Sequence, residues 1–206
     1  DGCSPLDLAV RHEHLAALQV LAELGADVDG AASIGTVPLH LAAGEGKLEL
    51  LHCLVAAGAC LEERDNMGST ALHIAAAESS ADSVKALLAL GSLPNRAGRL
   101  PRPRAYPKLN AVDVDGETAL HHAATFNHSG AIGLLVHTGA NIEAVGEECY
   151  TPLHVACRFP KRDAVRALLA YGADVHSVDG TGSTPVHSAA ANGESVSTFE
   201  VVQLLL

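Results

Sequence analysis

The sequence predicts an all-α solenoid of about six helix-turn-helix units joined by β-hairpin-like loops. A four-residue motif recurs, and its first residues are separated by 33 residues except for one step of 48. A glycine lies 21 residues after the start of five of the six motifs. A fixed period of this length is typical of stacked repeats. The motifs are Ser4-Pro5-Leu6-Asp7, Val37-Pro38-Leu39-His40, Thr70-Ala71-Leu72-His73, Thr118-Ala119-Leu120-His121, Thr151-Pro152-Leu153-His154 and Thr184-Pro185-Val186-His187.

Each motif predicts the start of a short helix. The Thr or Ser hydroxyl is a preferred N-cap, and Pro fits the next position because no backbone N–H is needed there. A second helix is predicted from apolar residues at helical spacing, such as Leu48, Leu51, Leu54 and Val55. Gly58 and its equivalents then favour the positive φ that ends this helix. One such unit cannot bury its own apolar face, so neighbouring units are expected to stack.

The period and the pattern Thr-Pro-Leu-His-x-Ala-Ala resemble the ankyrin repeat. The pattern continues as Leu41-Ala42-Ala43, Ile74-Ala75-Ala76, His122-Ala123-Ala124 and Val155-Ala156-Cys157. The resemblance covers essentially the whole chain and implies a single repeat domain over residues 1–206, incomplete at both ends. In the first motif Asp7 stands in place of His. Cys149 replaces the glycine of the loop before the fifth repeat, and we expect that turn to be distorted.

Charge and composition exclude several classes of function. Lys and Arg number 13 against 24 acidic residues, a net charge of −11, which argues against nucleic acid and anionic membranes as partners. The uncharged stretch Thr118–Ile142 contains four histidines and Asn127, which are too polar for a membrane helix. The five cysteines are odd in number and include no CxxC, so we expect reduced thiols and a cytoplasmic or nuclear location.

No catalytic, metal, cofactor or small-molecule site is predicted. Five of the twelve histidines occupy one repeat position, and the ankyrin resemblance implies that they bond Thr and backbone groups and tie the repeats together. Cys157 and His154 are three residues apart on a predicted helix, but Cys157 replaces a core Ala of the repeat. The glycine-rich stretch at 180–184 lacks the Lys of a phosphate-binding loop. The chain is therefore predicted not to be an enzyme.

The step of 48 residues indicates an insertion, which we place at residues 97–111. It contains Arg99, Arg102, Arg104 and Lys108 and no acidic residue. Its three prolines favour an extended polyproline II conformation. Two interpretations remain open: a surface loop that folds against the acidic remainder of the chain, or a docking peptide for an acidic partner or a polyproline-binding domain.

The ankyrin resemblance implies that a partner meets the hairpin tips and the exposed side of the first helices. Aromatic, acidic and other residues fall at these positions: Phe126, Tyr150, Phe159, Arg158, Glu117, Asp115, Glu147, Glu148, Met67 and Ile34. Three of the six Phe and Tyr residues of the chain are among them. Phe126 and Phe159 either fill the bend between two helices or belong to a binding site centred on repeats four and five. A polar rim around aromatic side chains is typical of binding hot spots.

The predicted function is that of a monomeric protein–protein interaction module that binds a basic or apolar partner peptide. The alternative is a substrate-recruiting or regulatory arm of a larger enzyme, channel or ubiquitin-ligase assembly. In that case the chemistry lies outside residues 1–206.

Overall fold

A computed structural model describes residues 5–30, 37–78, 81–91, 107–191 and 196–206, apart from the side chain of Asp7. All regular secondary structure in these ranges is helical, so the predicted fold class is confirmed. Two helices follow each motif, a first helix of six or seven residues and a second helix of nine to eleven. The helices are α1 Pro5–Arg11, α2 Leu15–Glu23, α3 Pro38–Gly44, α4 Leu48–Ala56, α5 Ala71–Ala77, α6 Ala81–Gly91, α7 Ala119–Thr125, α8 Ser129–His137, α9 Pro152–Arg158, α10 Arg162–Ala170, α11 Pro185–Ala190 and α12 Val196–Leu205.

Within the described ranges, every helix is too short or too polar to cross a membrane.

The helices form two compact units. The first comprises residues 1–75 and 82–108, and the second comprises residues 76–81 and 109–206. In the first unit α1 packs on α3 and α2 on α4; in the second, α9 packs between α7 and α11, and α10 between α8 and α12. Ala123 and Ala156 are fully buried on the first helices, and Leu135 and Leu168 on the second helices. Small side chains let the first helices approach closely, while leucines fill the space between the helix rows.

The loop tips before the third, fourth and sixth repeats share one hydrogen-bond pattern. At the fourth repeat the amide of Asp113 donates to the Glu117 carbonyl oxygen at 3.0 Å, and the amide of Gly116 donates to the Asp113 carbonyl oxygen at 3.2 Å. The Asp113 Oδ1 atom also accepts from the amides of Asp115 and Glu117 at 3.0 and 2.9 Å. Asp65 and Asp179 make the same bonds in their tips. These are the predicted hairpin-like loops, each held by one aspartate and turned by one glycine.

The motif histidine caps the first helix and joins it to the next repeat. Nδ1 of His154 accepts from the Thr151 amide at 3.3 Å and lies 2.8 Å from the Thr151 hydroxyl. Its Nε2 atom therefore carries the proton and donates to the Ser183 carbonyl oxygen at 3.1 Å. His121 makes the same bonds to Thr118 and to the Tyr150 carbonyl oxygen. The structural role expected for these histidines is thus confirmed for both residues.

His40 is the exception, because Val37 stands where the four later repeats have Thr. The His40 ring is 4% exposed, and neither ring nitrogen has a hydrogen-bond partner within the described residues. Burial lowers the pKa of His40, so the ring is uncharged in the folded chain at neutral pH. A buried nitrogen without a partner costs free energy of folding.

Replacing Val37 by Thr is expected to raise the free energy of unfolding by about 1 kcal/mol, because the new hydroxyl would reach Nδ1 of His40 in a shape-conserving substitution. Urea denaturation followed by circular dichroism measures this change. Val55→Thr is the matched control. Val55 is equally buried, but it lies within the second helix α4 and not at the position before a first helix that contains a motif histidine. Loss of stability in Val37→Thr comparable with the loss in Val55→Thr would contradict the prediction.

Hydrogen bonds between neighbouring loops show where the fifteen inserted residues lie in the sequence. A side-chain oxygen accepts from a backbone amide 31 residues later in three pairs: Asp29 with Cys60, Asn110 with Asn141, and Glu143 with Asp174. The Lys108 amide makes the equivalent bond to Glu62 at 2.7 Å, across 46 residues. Lys108 therefore occupies the repeat position of Asn141. Residues 107–111, placed by the sequence in the insertion, lie in the repeat register, so the fifteen additional residues are 92–106, outside the described residues.

Candidate functional site

The residues predicted to bind a partner are distributed over both units. Ile34 lies outside the described residues. Met67 belongs to the first unit, where it is exposed at a loop tip. The remaining eight belong to the second unit, and the candidate site is therefore built from that unit alone.

Tyr150, Arg158 and Phe159 form a compact group, here called the aromatic–arginine cluster. Cζ of Arg158 lies 5.3 Å from the ring centroid of Tyr150 and 6.0 Å from that of Phe159. Tyr150 precedes α9 and Arg158 ends it; helical side chains point towards the N-terminus, so Arg158 extends back along α9 to the Tyr150 ring. Cation–π attraction to two rings holds the guanidinium group in place.

The two phenylalanines of the predicted site lie at the ends of first helices. Phe126 follows α7 and is 51% exposed, and Phe159 follows α9 and is 49% exposed. The bend between the helices therefore does not enclose either ring. The Phe126 ring stacks on His128, with centroids 6.3 Å apart and the ring planes 12° apart. Phe126 thus presents an aromatic surface of its own beside the next helix.

The tips before repeats four and five concentrate carboxylates. Burial raises the pKa of Glu117, and the nearby charges of Asp113, Asp115 and Glu147 raise it further, against the opposing effect of His122. Burial also disfavours ionisation of Asp113, but the hydrogen bond from His122 Nε2 at 2.8 Å and two backbone amides lower its pKa overall. The part of the raised pKa of Glu117 that comes from neighbouring carboxylates reflects a negative potential that a cationic group would relieve.

The tip before the fifth repeat lacks both residues that shape the other tips. Gly146 stands at the aspartate position and Cys149 at the glycine position, and the backbone makes a single 3₁₀ turn over Glu147–Cys149. Cys149 has φ of 61° and Glu148 has φ of 55°, so two non-glycine residues lie in the left-handed region. The distortion expected at Cys149 is therefore present. The Glu148 carbonyl oxygen accepts from the Gly180 amide at 2.7 Å, which joins this tip to the next one.

Replacing Cys149 by Gly is expected to raise the free energy of unfolding by about 0.5–1 kcal/mol, because relief of left-handed strain exceeds the entropy cost of glycine. Thermal and urea denaturation of the purified chain measure the change. Cys149→Ser keeps the strain and is expected to leave stability unchanged. An equal gain in both variants would show that the thiol, and not the backbone, is the cause.

Three exposed valines on the tips were missed by the sequence analysis. Val112, Val145 and Val178, here called the valine column, lie 33 residues apart and are 42%, 57% and 57% exposed. Their neighbours Ala111 and Ala144 are buried. Buried and exposed side chains alternate along this part of each tip. The valines therefore point to the same side as the residues two positions later, which are the first residues of the predicted partner-binding surface. The repeated valine was the signal in the sequence that could have revealed them.

Cys157 and His154, which lie three residues apart on α9, do not have the properties of a catalytic nucleophile and base. Cys157 is fully buried, and burial raises the pKa of its thiol to about 12, so no reactive thiolate forms near neutral pH. Within the described residues, no three His, Cys, Asp or Glu side chains are arranged to hold a metal ion.

Models of the ankyrin repeat match four segments of the chain. A model of three ankyrin repeats matches residues 29–97, and a model of many copies matches residues 154–206. Single ankyrin-repeat models match residues 115–147 and 1–30. Together these segments include most of the chain, five of the six motifs in full and the last residue, His154, of the fifth. In a search of curated protein sequences, nothing matches the chain.

Among solved structures, the chain is similar to the ankyrin repeat domain of Bcl-3, a unique member of the IkappaB protein family. The two are 32% identical in sequence and superpose with a TM-score of 0.83, over 100% of this chain and 86% of that chain. The fold is shared with 526 solved chains. Such a widely used fold leaves the choice of partner to surface residues.

Proposed function

Since the chain belongs to the ankyrin-repeat family, we propose that it is a protein–protein interaction module whose second unit binds a partner protein or peptide. The stacked helices provide a rigid support, and the exposed residues of the tips and first helices provide specificity. The proposed binding site is centred on the aromatic–arginine cluster of Tyr150, Arg158 and Phe159 and includes Phe126.

The arrangement of Arg158 carries this proposal. Its guanidinium group lies within 6.0 Å of two aromatic centroids, and one of these rings is half exposed. Tyr and Arg are enriched among residues that dominate binding energy. A side chain that is already held in place loses less conformational entropy when a partner binds. The cluster therefore combines apolar area, hydrogen-bond donors and preorganisation.

The surrounding charge supports a partner that is basic or apolar. Asp115, Glu117, Glu147 and Glu148 lie on the tips beside the cluster, and repulsion from Asp115 and Glu147 adds to the effect of burial in raising the pKa of Glu117. A basic side chain of the partner would reduce this repulsion, and its attraction would also accelerate association at low salt.

The proposed module acts as a monomer, in the cytoplasm or nucleus, and performs no catalysis itself. The buried thiol of Cys157 supports the last point, because the one Cys–His pair on a first helix cannot supply a nucleophile.

Capture of partners from cell extract, analysed by mass spectrometry, tests the proposal. The wild-type chain is compared with the variant Phe126→Ala/Tyr150→Ala/Phe159→Ala, after circular dichroism has verified that both are folded. We expect at least one abundant partner of the wild type to be lost, because truncation of hot-spot aromatics costs about 2 kcal/mol or more each.

The matched control is Tyr171→Ala/Phe199→Ala, which removes two exposed aromatic rings of the same unit away from the cluster. This variant is expected to retain the partners. Retention of every partner by the triple variant would exclude the cluster as the binding site.

A further inference from the structure

We propose that the valine column of Val112, Val145 and Val178 binds an extended partner peptide in the polyproline II conformation. This peptide carries an apolar side chain at every third residue and basic residues beside those that contact Val112 and Val145. The inference rests on the proposed function, since it names the chemistry of a partner for the second unit.

The backbone of the tips sets the distance between successive valines. Each tip contains two chain segments, joined for example by the bond from the Gly146 amide to the Tyr150 carbonyl oxygen at 2.9 Å. Adjacent tips are also joined, from the Glu147 amide to the Asp115 carbonyl oxygen at 3.1 Å and from Gly180 to Glu148 at 2.7 Å. Hydrogen-bonded segments lie about 4.8 Å apart, so equivalent residues of adjacent tips lie about 10 Å apart.

The polyproline II helix matches this distance with consecutive turns. It has three residues per turn and a rise of about 3.1 Å, so residues on one side recur about every 9.3 Å. Residues on one side of a β-strand recur about every 6.6 Å. An α-helix advances about 5.4 Å per turn, so it reaches successive valines only with side chains two turns apart and needs about 15 residues to contact all three. Three apolar side chains of a polyproline II peptide can therefore contact all three valines in register.

The acidic residues of the tips determine which side chains are favoured on the side of the peptide next to its apolar side. Glu147 and Glu148 follow Val145 by two and three residues, and Asp115 follows Val112 by three. The carboxylates of the tips therefore border the column. A threefold peptide that turns its apolar side to the valines turns its next side to these acids, where Arg or Lys would be favoured. Its third side faces solvent and is unrestricted.

Fluorescence anisotropy with a labelled (Arg-Leu-Pro)₄ peptide tests this inference. We expect saturable binding to the whole chain, weakened about tenfold or more by Val112→Ser/Val145→Ser/Val178→Ser. Val20→Ser/Val196→Ser removes two exposed valines outside the column and is expected to leave the affinity unchanged. A peptide of the same composition with its four leucines consecutive is expected to bind about tenfold more weakly or not at all.

Equal binding of the two peptides would overturn the inference, as would an unchanged affinity of the column variant. A helical circular dichroism spectrum of the bound peptide would overturn it as well. These outcomes leave the proposed function intact if the Tyr150 and Phe159 variants still lose their partners. The opposite result is that peptide binding depends on the valine column while the aromatic variants retain all their partners. In that case the binding site would be the valine column and not the aromatic–arginine cluster.

Discussion

Truncating Tyr150 or Arg158 to Ala is expected to weaken binding of a captured partner by about 2 kcal/mol each, close to thirtyfold in Kd. The reason is their geometry: the guanidinium group lies 5.3 Å from the Tyr150 centroid, so each side chain holds the other in its binding conformation. Isothermal titration calorimetry or surface plasmon resonance with the purified partner measures the affinities. Arg166→Ala on α10 removes a similarly exposed guanidinium group and is expected to change the affinity little.

The double variant Tyr150→Ala/Arg158→Ala makes the prediction sharper. Since the two side chains are in contact, the loss in the double variant is expected to be smaller than the sum of the single losses by about 1 kcal/mol. Additive losses would mean that the two residues contact the partner independently. Unchanged affinity in both single variants would exclude the cluster from the interface.

The repeat architecture was predictable because each unit is specified by local chemistry. Pro38, Pro152 and Pro185 each begin a helix, as their position after an N-cap residue implies. His40 was expected to bond Thr as the other motif histidines do, and the consequence of Val37 at that position was not predicted. The position of the insertion was less certain, since a step of 48 residues gives the number of additional residues but not where they begin. The bond from the Lys108 amide to Glu62 resolved this point.

The candidate site was predictable only in part. The position of a residue within the repeat places it on a face of the solenoid but does not give its contacts. Tyr150, Arg158 and Phe159 were placed on the same surface, but their grouping depends on the direction of the Arg158 side chain along α9. The position of Phe126 within the repeat did not indicate that its ring stacks on His128. The valine column was missed because the surface positions that the resemblance implied begin two residues later on each tip, whereas alternation along an extended segment exposes the valines as well.

The largest expected effect on stability is for His121→Leu, which should lower the free energy of unfolding by about 3 kcal/mol, while His40→Leu should be neutral or stabilising. Both imidazoles are buried on a first helix at the same repeat position. His121 accepts from the Thr118 amide and donates to the Tyr150 carbonyl oxygen. Leucine would leave these groups buried without that partner.

His40 has no threonine to cap and makes no hydrogen bond of regular geometry within the described residues, although the backbone of Ser69 and Glu63 interacts with its ring, so leucine there has less to disrupt. Urea denaturation of the two variants beside the wild type compares them directly, and equal losses would show that shape, not hydrogen bonding, determines the stability at this position. The acceptor of the His121 bond is the carbonyl of Tyr150, a member of the cluster. His121→Leu is therefore also expected to weaken partner binding in conditions where the variant remains folded, because it frees the segment that positions the Tyr150 ring. His40→Leu should leave that binding unchanged.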